Sequence, residues 1–195
     1  MNDIEERLVT LAQAGDLEAF NAIVDRYQGR AYNLALRMLG EPSRAEDAIQ
    51  EAFLSAYRNI RRFRGPKLHS WLLTIVANTC RDLLRSPHFR RTTSLEAMTE
   101  AAEPRWESRE ESPEEYAVRQ ELGREIQRGL SSLPEDQRLA IILVDIQGLA
   151  YEEAAAIMGA SLGTVKSRLS RARGRMRDFL LRQGELLPSP YRQEK

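Results

Sequence analysis

Short polar side chains and cations lie close together on a predicted helix near the C-terminus. Two short helices, about 151–158 and 162–181, flank a turn that begins at Gly159, which is typical of a helix-turn-helix. Val165 and Leu169 face inward, so hydroxyl groups and cations face outward, where they suit base edges and phosphates in a DNA major groove. An ordinary helical hairpin with a solvated basic face is the alternative. The outward set is Ser161, Thr164, Lys166, Ser167, Arg168, Arg171 and Arg173.

A second set of cations alternates with aromatic side chains in the middle of the chain. Residues 55–91 contain nine basic residues and one acidic residue. Such a mixture fits single-stranded nucleic acid, because cations neutralise phosphates while bases stack or enter pockets. Trp71 favours core packing, and His69 is either a phosphate contact or inert, because no second metal ligand lies at suitable spacing. The candidate residues are Arg61, Arg62, Phe63, Arg64, Lys67, His69, Asn78, Arg81 and Arg85.

One face of the third predicted helix has an unusual composition. Asp47, Gln50, Glu51 and Leu54 lie at helical spacing and therefore share that face. A leucine within an acidic and amide surface fits the docking of another protein's helix. A solvated helix face explains the same residues equally well, so both interpretations stay open at this point.

The sequence shows little sign of other chemistry. No nucleophile–base pair, metal-ligand cluster or phosphate-cradling glycine loop is visible, so we expect no enzyme, cofactor, metal or small-molecule substrate. Cys80 is the single cysteine, so it forms no intramolecular disulfide and fits a small core position. No apolar run approaches the roughly 18–20 residues of a membrane helix, and the acidic start lacks a secretory signal. These observations predict a cytoplasmic protein without membrane insertion.

The overall charge hides a strong division along the chain. The sequence has 29 basic and 29 acidic residues, so its formal net charge is zero. Residues 161–195 nevertheless hold nine basic residues against three acidic ones, whereas residues 92–115 hold two against eight. With the basic stretch at 55–91, this alternation indicates separate interaction surfaces rather than one neutral surface.

Helical periodicity extends through most of the chain and predicts an all-α fold. It disappears in the middle, where the composition is typical of a flexible acidic linker. We therefore predict a first module at 1–87, a linker at 88–112, a second module at 113–183 and a C-terminal tail at 184–195.

Capping residues and apolar stripes locate the helix ends and the core. Asp16 is a candidate N-cap for the second helix, and Ser43 with Glu46 forms a candidate capping box for the third. Ser112 and Glu115 form another box after the linker. The stripes place apolar side chains inward at helical spacing. Members of these stripes include Ile4, Leu11, Phe20, Ile23, Leu34, Met38, Tyr57, Tyr116, Ile146 and Leu162.

Two parts of the chain carry a family resemblance. The chain resembles region 2 of a bacterial RNA polymerase sigma factor in DAIQEAF (47–53), RFRG (62–65) and SWLLTIVANTCRDLLR (70–85). It resembles region 4 in LPEDQRLAIILVDIQGLAYEEAAAIMGASLGTVKSRLSRAR (133–173). A short acidic linker without an intervening third domain is similar to the extracytoplasmic-function (ECF) group. Two motifs in the family's order make the resemblance specific.

The resemblance implies a role for each candidate surface. The face at 47–54 would dock on the clamp helices of the polymerase β′ subunit. Residues 61–70 would capture a flipped base of the −10 promoter element, and positions 78, 81 and 85 would line that strand. The helix around Thr164 would read the −35 element. The implied partners are core RNA polymerase (β′ clamp helices and β flap), promoter DNA and an anti-sigma factor.

One competing interpretation fits the second module equally well. A stand-alone helix-turn-helix transcription regulator would need the same outward cations, with the first module as a helical sensor or interaction domain. The features at 47–85 separate the two, because a sensor domain has no need of them.

Overall fold

The computed structural model describes residues 3–86 and 112–182. Every regular element in these ranges is helical, which confirms the predicted all-α class. The predicted linker up to residue 111 and the predicted tail lie outside the described residues. In the described part of the chain, no helix is both long enough and apolar enough to cross a membrane.

The first module, residues 3–86, is built around its long second helix. Asp16 caps this helix as predicted, because its carboxylate accepts a hydrogen bond from a backbone N–H of the first turn at 3.1 Å. Gly40 ends it with a φ of 80°, a left-handed conformation that favours glycine. Phe20 and Met38, near its two ends, are buried as predicted. The elements are α1 (Asp3–Ala14), α2 (Leu17–Leu39), α3 (Pro42–Asn59), a 3₁₀ turn (Ile60–Arg62) and α4 (Leu68–Arg85).

The second module, residues 112–182, begins with the predicted capping box. The Ser112 hydroxyl accepts from the Glu115 backbone N–H at 3.2 Å, and the Glu115 carboxylate accepts from the Ser112 N–H at 2.9 Å. Gly159 makes the turn between the last two helices with a φ of 60°. The elements are α5 (Pro113–Ser131), α6 (Glu135–Ile141), a π-helical segment (Ile142–Ile146), α7 (Tyr151–Met158) and α8 (Leu162–Arg182).

The predicted capping box at the start of α3 is wrong. Pro42 takes the first helical position, where its fixed φ favours helix initiation, so Ser43 already lies inside the first turn. The Ser43 hydroxyl donates to the Glu41 carboxylate at 2.7 Å instead of pairing with the turn that contains Glu46. Glu41 also pairs with Arg44. Proline therefore sets the start of this helix without a side-chain cap.

Several side chains that were predicted to face inward lie at the surface. Their helices pack through neighbouring positions, such as Val9 and Ala12 of α1, which are buried. In α5 the buried positions include the polar residues Glu125 and Gln127. Glu125 pairs with Arg128 on the next helical turn. The exposed members of the predicted stripes are Ile4, Leu11, Tyr57, Tyr116, Ile146 and Leu162.

One hydrophobic core runs through both modules. Met38 of α2 and Leu73 of α4 belong to the same buried cluster as Leu139 and Leu143 of the second module. Full burial of such a side chain contributes roughly 1.5–3 kcal/mol relative to leaving it exposed. Cys80, the predicted small core residue, also lies in this cluster, and burial raises the pKa of its thiol to about 12. The two modules therefore form one packed body.

Arg138 of α6 joins the modules at a helix end. Its guanidinium donates to the Met38 carbonyl at 2.6 Å, and to the carbonyls of Ser131 at 2.7 Å and Leu133 at 3.2 Å. The last carbonyls of a helix lack intrahelical partners and carry partial negative charge, so one cation satisfies the ends of α2 and α5 together. Burial lowers the pKa of Arg138.

Two glutamine side chains add polar contacts between the modules. Gln127 of α5 accepts a hydrogen bond from the Arg37 guanidinium and donates one to the Arg37 carbonyl, both at 3.3 Å. Gln147 follows the π-helical segment and donates to the Arg30 carbonyl at 3.2 Å and to the Asn33 side chain at 3.3 Å. These contacts add directional hydrogen bonds to a largely apolar boundary.

Candidate nucleic-acid interface

Helix α8 presents its polar and cationic side chains from a helix-turn-helix. Val165 and Leu169 are buried as predicted and hold α8 against α6 and α7. The Ser161 hydroxyl accepts from the Thr164 backbone N–H at 3.1 Å and so caps the helix. The first turns of α8 are therefore fixed by packing on one side and open on the other. The exposed members of the predicted set are Ser161, Lys166, Ser167, Arg171 and Arg173.

Two arginines of α8 are held by carboxylates of the same module. The Arg168 guanidinium lies 2.6 Å from the Asp136 carboxylate of α6. Arg173 makes a bidentate pair with Asp145 of the π-helical segment, at 2.9 and 2.6 Å, and this pairing raises the pKa of Arg173 further. Arg173 thus ties α8 to the π-helical segment, whereas Arg171 has no ion-pair partner among the described residues.

Hydrogen bonds from α1 hold the loop between α3 and α4 in place. The Gln13 side chain of α1 donates to the Ile60 carbonyl at 3.1 Å and to the Phe63 carbonyl at 2.8 Å. Phe63 is buried, and its ring centroid lies 5.0 Å from that of the half-buried Trp71, in agreement with the prediction that Trp71 packs in the core. The two rings form a floor rather than free stacking platforms, and the exposed arginines of the loop surround it. These are Arg61, Arg62 and Arg64.

A cavity of about 410 Å³ opens beside this loop. The first module lines it with residues 62–67, Ser70 and Trp71. The second module closes its other side with Glu152, Glu153 and Ala156 of α7. The cavity thus lies at the boundary between the modules, beside the segment predicted to capture a base.

The cations near the ends of α4 face carboxylates of the second module. Arg81 lies 3.3 Å from both Glu135 and Asp136, and Arg85 lies 3.2 Å from Glu135. The Arg81 side chain is 13% exposed, whereas the Arg85 side chain is 65% exposed, so only Arg81 is covered. Asn78, which was predicted for the same surface, is exposed.

A third carboxylate holds the cations at the start of α4. Glu153 of α7 lies 2.8 Å from the Lys67 ammonium and 3.2 Å from the His69 imidazole. The hydrogen bond from Lys67 is the main reason that the pKa of Glu153 lies below its usual value. Its other oxygen accepts from the Ala150 backbone N–H at 3.3 Å, which fixes the start of α7.

The outward face of α3 presents the opposite situation. Asp47, Gln50, Glu51 and Leu54 are all exposed, as the helical spacing predicts. Leu54 is 57% exposed, although it is a large apolar side chain. None of these four side chains forms an ion pair within the described residues. The face is open for a partner.

Comparison with known proteins decides the family. Models of sigma-70 region 2 and sigma-70 region 4 match residues 23–90 and 123–176. The ECF RNA polymerase sigma-E factor of Escherichia coli K12 is 40% identical over 175 residues, which cover 87% of this chain and 90% of that protein. This chain belongs to the ECF sigma factors. The first module contains region 2 and the second contains region 4.

Other relatives agree with this membership. The ECF sigma factor SigE of Mycolicibacterium smegmatis is 35% identical over 164 residues, 84% of this chain but 62% of that longer protein. CnrH, solved with the cytosolic domain of CnrY, is similar with a TM-score of 0.66 and 29% identity, covering 91% of this chain and 97% of CnrH. The sigma factor RpoE of Bartonella quintana, solved with the anti-sigma factor NepR, gives 0.62 and 28%, covering 84% and 98%.

Membership in the ECF sigma factors removes the competing interpretation. A stand-alone regulator would carry region 4 with an unrelated sensor, whereas here both modules match the same family in the family's order. Sigma factors are initiation factors rather than enzymes.

Sequence reasoning missed the carboxylates that face region 2. Glu135, Asp136 and Glu153 belong to the predicted second module, but no role of their own followed from the sequence. Their positions in the first turns of α6 and α7 carry the ordinary signal of acidic residues near a helix N-terminus. The excess of acidic residues at 116–160 was the one signal that could have indicated an interaction surface. Helical periodicity did not show which cations these residues would face.

The described residues contain no group of three or more His, Cys, Asp or Glu side chains that could hold a metal ion. His69 faces Glu153 and the Ser70 hydroxyl, the latter at 3.1 Å.

Proposed function

We propose that this ECF sigma factor binds the core of RNA polymerase in the cytoplasm and directs promoter-specific initiation of transcription. One observation carries the proposal: a single chain combines the open, partly apolar face of α3 with a helix-turn-helix whose α8 presents cations and hydroxyl groups. A protein that only bound DNA would not need the first surface. The proposed division is region 2 at 1–87, a linker at 88–112 and region 4 at 113–183.

The α3 face is proposed to dock on the β′ clamp helices of the polymerase. Leu54 supplies an apolar anchor, and the surrounding polar groups of Asp47, Gln50 and Glu51 can pair with cations or amides of a partner helix. The β flap is the proposed contact of region 4. Both contacts leave α8 and the loop before α4 available for DNA.

The loop before α4 is proposed to capture the −10 strand. Arg61, Arg62 and Arg64 would neutralise phosphates, while a base taken out of the stack would enter the cavity above Phe63. The hydrogen bonds from Gln13 keep this loop in shape before the strand arrives. The proposed strand-binding set also includes Lys67, His69, Asn78, Arg81 and Arg85.

Helix α8 is proposed to read the −35 duplex in the major groove. Thr164, Ser167 and Arg168 would face base edges, while Lys166 and Arg171 would meet phosphates. Because the polymerase holds both regions, each DNA contact becomes effectively intramolecular and needs little affinity alone. Arg173 acts in this proposal through its brace to Asp145 rather than through DNA.

An anti-sigma factor is a further proposed partner. The similar RpoE structure contains the anti-sigma factor NepR, and the similar CnrH structure contains the cytosolic domain of CnrY. A regulator of this kind would keep the sigma factor from polymerase until it is released.

The docking assignment is tested with two matched double variants. Gln50→Ala/Glu51→Ala should weaken binding to core polymerase by about tenfold or more, the size of a modest interface hot spot. Gln120→Ala/Glu121→Ala removes the same residue pair from α5 and should leave affinity unchanged. Affinity is measured by fluorescence titration with core polymerase, and circular dichroism checks folding. Equal affinity of the two variants would rule out the α3 face.

The strand-capture assignment is tested on promoters selected by run-off transcription from a genomic pool. With Lys67→Ala/Arg81→Ala in the holoenzyme, permanganate reactivity of unpaired −10 thymines should fall, because two phosphate contacts are lost. Normal promoter opening by this holoenzyme would reject the assignment of α4 to the strand.

A further inference from the structure

We propose that Gln13 of α1 is a positioning residue that sets the base specificity of the −10 loop, residues 60–67, by holding two of its backbone carbonyls. The inference deepens the proposed function and rests on it, because it takes this loop as the segment that captures the −10 strand. It adds a specificity determinant from a helix that lies before residues 23–90, the part of the chain matched by the model of sigma-70 region 2.

The Gln13 side chain holds both ends of the first turn of the loop. Its amide nitrogen donates to the Ile60 carbonyl at 3.1 Å and to the Phe63 carbonyl at 2.8 Å. The Phe63 backbone N–H closes the same turn on the Ile60 carbonyl at 3.0 Å. A glutamine amide has two donor hydrogens, one for each carbonyl, so the turn cannot open without the loss of a hydrogen bond.

The held turn fixes the aromatic floor of the cavity. The ring of Phe63 packs against Trp71, with the ring centroids 5.0 Å apart. A Cβ built on Gly65 would lie 3.2 Å from Phe63 Cε2, so the backbone of the loop also passes close to the ring. All three residues line the cavity. A displaced turn would therefore change the shape of the space that a base enters.

The end of α1 also lies beside a cation of the loop. Val9 and Ala12 bury the inner face of α1, which fixes this helix in the core. Its last turn contains no basic residue, although the carbonyls of a helix end carry partial negative charge. A Cβ built on Gly15 would lie 3.5 Å from Arg61 Nη2, so the Arg61 guanidinium lies next to this helix end. Helix α1 thus orients a loop cation as well as the loop backbone.

Arg64 holds the same turn, but from within the loop. Its guanidinium donates to the Arg61 carbonyl at 2.7 Å and to the Phe63 carbonyl at 2.8 Å. Because this side chain is cationic and exposed, an arriving phosphate competes for it. Gln13 is neutral and half-buried, so its hydrogen bonds persist when the strand is bound. A group that supports a site without touching the ligand controls the precision of that site, so Gln13 should affect the choice of base more than phosphate affinity.

Two variants of α1 separate positioning from the general stability of the helix. Gln13→Met keeps the length of the side chain but has no donor for the loop. Thr10→Val is the matched control, because the Thr10 hydroxyl donates to a carbonyl of α1 itself, that of Glu6, at 2.9 Å. Each holoenzyme is tested by competition between selected promoters that differ at single −10 or −35 positions. The quantity measured is the ratio of affinities for the selected and the substituted base.

Gln13→Met should lower this ratio at one −10 position by at least about threefold, near the lower end of what a lost hydrogen bond costs. The ratios at −35 positions should not change, and Thr10→Val should change none of them. Unchanged −10 ratios for Gln13→Met, an equal loss at every −10 and −35 position, or the same loss for Thr10→Val would overturn the inference. Unfolding midpoints confirm that the variants are folded.

A spectroscopic measurement follows the loop without DNA. Trp106→Phe leaves Trp71, which packs on Phe63, as the single tryptophan of the chain. In this background, Gln13→Met should increase the quenching of Trp71 fluorescence by acrylamide, because the ring beneath the loop becomes more accessible. Thr10→Val should leave the quenching as it is. Equal quenching with and without Gln13→Met would reject the positioning role.

The proposed function would fail by a different result. If the loop and α4 do not capture the strand, Lys67→Ala/Arg81→Ala opens promoters normally, and the inference fails with the function on which it rests. If that double variant impairs opening while Gln13→Met keeps its −10 ratios, the proposed function stands and the inference alone is wrong.

Discussion

Helices α3 and α4 adjoin each other in region 2, yet their candidate binding faces are in opposite states. The α3 face is exposed and carries Leu54 at its edge, whereas cations near the ends of α4 pair with carboxylates of region 4. Both faces have charged residues, so composition does not distinguish them. The difference is in partners: the chain satisfies the α4 face itself and leaves the α3 face unsatisfied. Under the proposed function, the free chain would therefore offer an open face to its protein partner and a partly paired face to DNA.

Arg138 holds the two regions together near the end of α2, so its loss should have the largest effect. Arg138→Ala removes a guanidinium that serves three carbonyl groups, so it should lower the free energy of unfolding by about 3 kcal/mol. Hydrogen exchange should accelerate at the ends of α4 and stay slow in the centre of α3. Urea unfolding and hydrogen exchange provide the measurements.

Arg138→Lys is the control, because it keeps the charge but can reach fewer carbonyl groups. Its free energy of unfolding should lie between those of the wild-type chain and Arg138→Ala. Equal exchange in α3 and α4 after Arg138→Ala would mean that the cover over α4 does not depend on this residue.

In region 4, Asp136 holds the Arg168 side chain on one side. Arg168→Ala should relax specificity at one −35 base pair by about 1–3 kcal/mol, the usual contribution of one base contact. Arg171→Ala should weaken binding to all promoters alike. Both are measured by competition between holoenzyme-bound promoters that differ at single positions. A uniform loss for Arg168→Ala would show that it contacts phosphate.

Gly129 tests whether α8 can be moved without uncovering α4. A Cβ there would lie 2.8 Å from Met176 Cε and 3.1 Å from Phe179 Cδ1, so the end of the Met176 side chain and the Phe179 ring would have to shift. After the gain in helix propensity, Gly129→Ala should destabilise the chain by about 1 kcal/mol. Gly123→Ala, on the same helix with no atom within 4 Å, should stabilise it instead. Thermal unfolding distinguishes the two signs.

Acidification should weaken the cover over α4 slightly. The pKa of Glu153 is lowered in the folded chain, so its contribution is complete above its usual value of 4.5 and disappears as the pH falls through the lowered pKa. Because Lys67 is largely exposed, the contribution should stay below about 1 kcal/mol. The difference in unfolding free energy between the wild-type chain and Glu153→Gln should therefore vanish at low pH. A constant difference would contradict the pairing.

Local signals in the sequence predicted the helices well. Asp16, Ser112 and Gly159 act at helix ends through bonds within a few residues, so their roles follow from spacing alone. The same logic failed at Ser43, because the neighbouring proline already determined the start of α3. Where two local signals compete, the one that constrains the backbone prevails.

Residue types predicted the candidate surfaces, but they did not predict whether each surface is open or paired with another part of the chain. Val165 and Leu169 identified the outward side of α8, and the open face of α3 followed from helical spacing. The ion pairs between Arg81 and Asp136 or Lys67 and Glu153 join residues 55 and 86 positions apart, and no periodicity encodes such a distance. The packing of the two regions was equally invisible, because each apolar stripe suits several neighbours.

The shared core has a consequence for how promoter affinity can change. A chain that is open for only a fraction of the time binds DNA more weakly by that fraction, whatever the intrinsic strength of its contacts. Substitutions at Met38, Leu73 or Leu143 would loosen the core that both regions share, although these side chains lie in the interior. For a DNA site that the packed regions cover, apparent affinity would therefore depend on how often they part, and substitutions in the hydrophobic interior would change it as well as substitutions at the DNA surface.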